Sequence, residues 1–364
     1  MEQRTGIQTG LLFVITLVVV GSVMRMVGSF VLPLVIAVLL AFALYPLVTQ
    51  LIRFRIPRIL AILLVLMLFL AVGFLIGLII YSSGQQMVKE FPAYQQRFSD
   101  ILHNNPLVDR LSFLMGDTFS FGEEGESAFS VIGRYLLPTL RSSLLSISGG
   151  FLSFLSSFFM TMLYLLFLLL EAQYIRAKVI AAFDDVRAGK VIHITGQINE
   201  QIGHYVGLKL FTSGLTAIVV AIGFSIVGVD FAIIWAVLTF MFNFIPSIGS
   251  IIISLVSFLF IFVQFYPDPA PIFLASAVMG VSQIVIGNVL DPKLQGERLN
   301  LSPVVIIFSL LFWGWLWGIA GMFLAVPLTM VMKIICGLIP SLRPLSIMME
   351  SGKALCKQCD GKES

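Results

Sequence analysis

Asn243, Ser247 and Ser250 sit around Pro246 and Gly249 in the run Asn-Phe-Ile-Pro-Ser-Ile-Gly-Ser, residues 243–250. That run interrupts an apolar stretch from Phe231 to Phe265. The amide and hydroxyls supply neutral hydrogen-bond donors and acceptors. Pro246 lacks an amide hydrogen and disfavours helix at Ile245, while Gly249 accepts backbone angles that other residues resist. A break of this kind frees main-chain amides and carbonyls, which in a membrane is tolerable only against protein or a wet cavity. The freed groups, helped by helix-end dipoles, can bind a polar solute. A second break, Trp313-Gly-Trp-Leu-Trp-Gly318, interrupts the stretch from Pro303 to Met332. There Gly314, Gly318 and Gly321 allow close approach, and Trp313, Trp315 and Trp317 offer flat apolar walls. Tryptophans also gather at membrane interfaces, so that reading of the cluster stands beside the first.

Three further polar residues lie on the run from Gln283 to Pro292, where leucine would cost less. Gln283 and Gly287 share a helix face, as do Asn288 and Asp291. Asp291 reads either as a gate or ionisable switch, with Lys293, Glu297 and Arg298 nearby, or as an Asp-Pro turn with ion pairs at the membrane rim. The candidate solute path is therefore Asn243, Pro246, Ser247, Gly249, Gln283, Asn288, Gly314 and Gly318, with Asp291 and Arg298 as gating or coupling groups. Lys209, one turn into a span, reads as a snorkelling anchor. Glu171 marks an interface, and His204 reads as structural. No acid falls clearly in the centre of a span, which favours a neutral, hydrogen-bonding solute over an obligatory cation site. There is no phosphate loop, metal cluster or nucleophile elbow, so neither an enzyme nor a cofactor is expected. Cys356-Lys-Gln-Cys359 has a zinc-like spacing but no second pair to complete a site.

The elements that must hold these residues are membrane helices. The chain is 59% hydrophobic and 11% charged, against about 25% charged in soluble proteins. A net charge of +3 gives no reason to expect nucleic acid. Candidate spans are 7–25, 28–51, 59–83, 146–171, 205–228, 231–266, 270–290 and 302–333. The two longest exceed the roughly 20 residues of one crossing, so each is expected to be two short spans or a re-entrant hairpin. With the N-terminus inside, 16 of the 22 Lys and Arg residues fall on or near the cytoplasmic side. Five of the other six lie in one long loop, which the positive-inside rule weights little. Both termini are expected to be cytoplasmic.

The expected domains are a three-helix segment at 1–83, a small helical extracytoplasmic domain at 84–145, a fourth span at 146–172, an amphipathic connector at 173–204, a transport core at 205–333 and a tail at 334–364. The core reads as one motif written twice. A span from Tyr205 to Val227 precedes the first broken pair, and a span from Pro271 to Val289 precedes the second. The two halves would cross in opposite senses, an arrangement that lets a midplane site open alternately to each side. The fold expected is thus an all-α polytopic membrane protein with about six full spans, two broken hairpins in an inverted repeat and a small outer domain.

At these motifs the chain resembles the autoinducer-2 exporter family, also described as predicted permeases. The residues that carry the likeness are Asn243 to Ser250, Gly287-Asn-Val-Leu-Asp-Pro292, Phe312 to Gly318 and Val326-Pro-Leu-Thr329, with Leu32-Pro33, Tyr45-Pro46 and Arg53 to Arg58 nearer the start. The resemblance implies an oligomeric, multi-pass inner-membrane transporter that exports autoinducer-2, a small polyhydroxylated solute of little or no charge. It also implies a functionally mixed group, since some members look like sodium–proton antiporters. Two other functions are weighed against export: a sodium (or lithium)/proton antiporter, and a non-transporting scaffold or regulator that works through 84–145. Expected partners are membrane lipids, the solute and further copies of the chain.

Overall fold

The computed structural model describes residues 16, 19, 21–104, 152–295 and 301–352. Most of the span expected at 7–25, residues 105–145 of the expected outer domain, Arg298 and the Cys356/Cys359 pair lie outside them. The described residues form helices and turns, with no strand among them. Seven helices there are long and apolar enough to cross a membrane. Large apolar side chains stay on the outside of these helices, among them Met67 at 63% and Ile226 at 80% exposure. Such a surface would be untenable in water and is what hydrocarbon requires. The chain is an all-α, multi-pass membrane protein.

The chain divides into two compact units. The first comprises Met1–Leu70, Ser156–Leu210 and Pro292–Ser364. Its core joins Ala37, Leu44 and Val48 of the helix Gly28–Arg53 to Ala61, Ile62, Val65 and Leu66, and to Met162, Leu165 and Leu169. Those positions fall mostly three, four or seven residues apart, so one stripe of each helix is buried. The helix Leu152–Glu171 leads through Ile175–Ala182 to a break at Phe183, where the backbone turns extended. A single helix of 43 residues, Asp185–Val227, follows. The amphipathic connector and the span after it are therefore one rod, roughly 65 Å long at 1.5 Å per residue. Ala188, Ile202 and Tyr205 are buried along it. At Gly203 an added Cβ would come 3.3 Å from the Phe42 carbonyl oxygen, so the rod meets the helix Gly28–Arg53 there, while Tyr205 packs with Leu301, Val326, Met330 and Met349.

The second unit comprises Ala71–Leu155 and Phe211–Asp291. The helix Arg58–Asn104 runs unbroken for 47 residues, past the boundary expected at residue 83. Its far part meets the turn between Val227 and Ala232. The Tyr94 hydroxyl donates to the Asp230 carboxylate, and the Tyr94 ring lies 5.0 Å from Phe260. Arg97 stands 5.9 Å over that ring. Gln264 ties the same turn down: its Oε1 accepts from the Asp230 amide at 3.0 Å, and its Nε2 donates to the Gly228 carbonyl at 3.0 Å. Tyr94→Phe removes a hydrogen bond to a carboxylate and is expected to cost about 1 kcal/mol. Thermal melting of the detergent-solubilised protein should then fall by about 2–4 °C; an unchanged melting temperature would contradict this anchoring.

Candidate functional site

Both sequence breaks are breaks in the structure, and both reverse the chain. The first hairpin has a short arm, Ala232–Phe242, of 11 residues and a long arm, Ile248–Phe265, of 18. Trp235 and Phe260 bring the arms together with ring centroids 5.2 Å apart. At about 16 Å, the short arm cannot cross a hydrocarbon core of about 30 Å. At the tip Ser247 takes φ 59° and ψ −50°, which ends one helix and starts the next. A Cβ at Gly249 would lie 1.8 Å from the Phe242 carbonyl oxygen, so only glycine fits. Ser250 Oγ donates to the Ser247 carbonyl at 2.9 Å.

The second hairpin lies within Pro303–Leu338, a run of 36 residues that is helical except at Trp317 and Gly318. Gly318 has φ 62° and ψ −143°, a region that side-chain-bearing residues avoid. Beyond it the chain folds back. The Ser309 hydroxyl reaches the Ala325 carbonyl at 3.0 Å and the Thr329 hydroxyl at 2.5 Å. In a straight helix Ser309 and Ala325 would be about 24 Å apart. A Cβ at Gly321 would lie 1.8 Å from the Trp313 carbonyl oxygen, whereas one at Gly314 would meet the Met322 side chain, its Cε at 2.9 Å and its Cγ at 3.0 Å. Trp317 packs on protein: its Nε1 donates to the Met24 carbonyl at 3.3 Å. Arg25 stands 5.8 Å over Trp315.

The tips share one plan. In each, an aromatic residue (Phe242 or Trp313) offers a carbonyl, the residue five positions later has positive φ (Ser247 or Gly318), and a glycine two or three residues further on rests against that carbonyl. The sequences around them are otherwise unlike. The geometry repeats because each tip solves the same problem, a helix reversal tight enough that backbone touches backbone.

Between the hairpins runs Pro269–Ser282, started by Asp268, whose side chain accepts from the Ala270 amide. It loosens into a π-helix at Gln283–Leu290 and ends as Asp291–Gln295. Short π segments often accompany functional sites. Two contacts set this element antiparallel to the residues before Val227. The Thr212 hydroxyl donates to Asp291 Oδ1 at 3.3 Å, and an added Cβ at Gly223 would strike Val278. The seam is apolar at one end, where Val220, Phe224, Ala275 and Met279 are buried. Toward Asp291 it turns polar, with Thr212, Ser213, Thr216, Ser282 and Gln283 buried.

Asn243, Pro246, Ser247, Gly249, Gln283, Asn288 and Asp291 all belong to the second unit, and Gly314 and Gly318 to the first. Gln283 and Gly287 meet as neighbours, with Gln283 Oε1 3.4 Å from where a Cβ of Gly287 would stand. Asn288 and Ser247 are exposed, while Asp291 is buried at 7% exposure. Arg298 lies outside the described residues. Thr212, Ser213 and Thr216 are absent from the residues singled out by sequence, although their spacing on one helix face within an apolar span is visible there. Trp235 and Thr239 are absent too, since they look like ordinary span residues until their burial is known. Among the described residues no cluster of three or more His, Cys, Asp or Glu could hold a metal.

Comparison with known proteins finds matches over nearly the whole length. The model of the AI-2E family transporters matches residues 11–341. A Borreliella burgdorferi protein named "Putative transport protein" is 34% identical over 344 residues, 94% of this chain and 90% of its own. A Haemophilus influenzae protein of the same name is 32% identical over 347 residues, 92% of this chain and 94% of its own. The "AI-2 transport protein TqsA" of Escherichia coli is 29% identical over 324 residues, 87% of this chain and 88% of its own. With a model match that runs through both hairpins and the helix between them, the chain belongs to the AI-2E transporter family.

Proposed function

We propose that this chain is a secondary transporter of a small, neutral, polar metabolite, with autoinducer-2 the preferred solute and export the preferred direction. It works by alternating access in the bacterial inner membrane, with both termini cytoplasmic, and performs no covalent chemistry. The observation that carries the reading is the pair of hairpins with one tip plan. Matched breaks in two halves of a carrier are where solute sites are built, because reversed backbone leaves polar groups for a solute to engage. The choice of solute rests on the name of the relative TqsA and on the uncharged Thr212, Ser213, Thr216, Ser282 and Gln283 buried along the polar part of the seam. Expression in signal-producing cells that lack their own exporter should raise the ratio of external to internal autoinducer-2 above that of vector controls. An unchanged ratio would count against the solute.

One observation favours a second reading, a sodium (or lithium)/proton antiporter. Asp291 is buried within Pro269–Gln295, a helix able to cross a membrane, and it accepts from Thr212. A carboxylate in such a place is costly and is commonly kept for ion coupling.

A further inference from the structure

The second unit holds an unusual set of buried polar atoms. Ser213 Oγ, Trp235 Nε1, Thr239 Oγ1, Ser276 Oγ and both amide atoms of Gln283 are each out of reach of solvent and lack a hydrogen-bond partner among the described residues. The side chains of Trp235, Thr239 and Gln283 are more than nine-tenths buried, at 3%, 0% and 6% exposure. Leaving one such group unmade costs more than an average hydrogen bond contributes, and hydrocarbon offers no water to relieve it. Groups of this kind are free to accept hydrogen bonds from a ligand or donate them to it.

The placement of the last four residues is ordered. Trp235 and Thr239 stand one turn apart on the short arm of the first hairpin. Ser276, Met279 and Gln283 follow one another along one face of the next helix. Trp235 and Met279 belong to the same buried cluster as Ile253 and Ile261 of the long arm, so both faces pack in one region against that arm. The long arm runs antiparallel to both elements, which makes the short arm and Pro269–Ser282 parallel. Thr239 and Gln283 consequently both lie one turn beyond the cluster in the same direction, toward the hairpin tip. The set comprises an indole N–H, two hydroxyls and a carboxamide: three donor types, acceptors on three of the four residues, and no charge.

We propose that Trp235, Thr239, Ser276 and Gln283 form a recognition surface for an uncharged, polyhydroxylated solute, held within the second unit. The indole and methyl-bearing faces cover the carbon skeleton, while the hydroxyls and the amide answer its hydroxyls. A phosphorylated or cationic analogue is rejected because nothing in the set balances a charge. This rests on the transport reading above and names the residues that read the solute.

The test uses the full-length chain, purified, with autoinducer-2 and its phosphorylated form as probes. Thr239→Val and Gln283→Leu, singly and together, are compared with wild type by thermal shift and by flux in liposomes. Wild type should be stabilised by autoinducer-2 and not by the phosphorylated form. The single variants should lose about tenfold in apparent affinity, the worth of one good hydrogen bond in a dry site. Without solute they should melt higher than wild type by about 2–4 °C each, since a buried group without a partner has been replaced by an apolar one of similar shape. Variants that retain wild-type affinity, or that melt lower than wild type, would overturn the site, the latter by showing a structural role. Wild type that shows no shift with autoinducer-2 would overturn it too. A shift without flux would leave the site standing and remove the transport reading.

Discussion

Gly249→Ala and Gly321→Ala are each expected to remove nearly all well-folded protein. A methyl at either position would lie 1.8 Å from a main-chain carbonyl oxygen, Phe242 in one tip and Trp313 in the other. Backbone cannot rotate out of the way as a side chain can, so the hairpin must open. Overpacking in a tight site costs about 1–3 kcal/mol and more where backbone must move, which is a large share of a marginal stability. Three other glycines serve as controls. At Gly214 and Gly280 nothing stands within 4 Å of an added Cβ. Alanine there should be neutral or stabilising by up to about 1 kcal/mol, because it suits a helix better than glycine does. Gly318→Ala meets open space but keeps φ at 62°, and should cost about 1–3 kcal/mol from backbone strain alone. Melting temperature and the yield of monodisperse protein in detergent rank the five variants. If Gly249→Ala and Gly280→Ala behave alike, the tip geometry is wrong.

Asp291 gives the second large effect. Its carboxylate is buried and accepts from the Thr212 hydroxyl, where the helix has just left its π segment. Asp291→Ala removes the acceptor and opens space in the seam, so flux of any solute should fall by at least about tenfold, the equivalent of about 1.4 kcal/mol. Asp291→Asn is the informative partner. An amide oxygen can still accept from Thr212, but the group no longer ionises. As the carrier of a neutral solute the protein should keep most of its flux after this substitution. As an antiporter it should lose pH-driven sodium flux altogether, because no proton can exchange at that position. Measured side by side in liposomes, the two substitutions separate a structural carboxylate from a titrating one.

Much of this architecture is legible in the residues themselves. Proline and glycine punctuate apolar runs for reasons that hold in any fold, and so the breaks at 243–250 and 313–318 can be placed to within a few residues. Length against bilayer thickness forces the long runs to double back. Continuity is harder to read. The helix Arg58–Asn104 passes smoothly from an apolar stretch into a polar one, and hydropathy alone reads such a change as a boundary. The same holds for Asp185–Val227, where the boundary expected at 204 marks only a change of surroundings. The π-helix at Gln283–Leu290 leaves no mark either, since a widened turn depends on packing around it rather than on residue types. Among the site residues, Gln283 and Asp291 stand out because they are polar in an apolar run. Trp235 and Thr239 do not, because tryptophan and threonine are common in membrane helices and only their missing partners set them apart.

Flux through purified protein in liposomes tests the central claim most directly. Labelled autoinducer-2 is measured across the membrane, and sodium in parallel under imposed pH gradients. A carrier of a neutral polar solute predicts saturable movement of autoinducer-2 above empty liposomes, slowed at least about tenfold in Asp291→Ala and independent of sodium. Sodium movement that follows the pH gradient, with autoinducer-2 no faster than in empty liposomes, would contradict it.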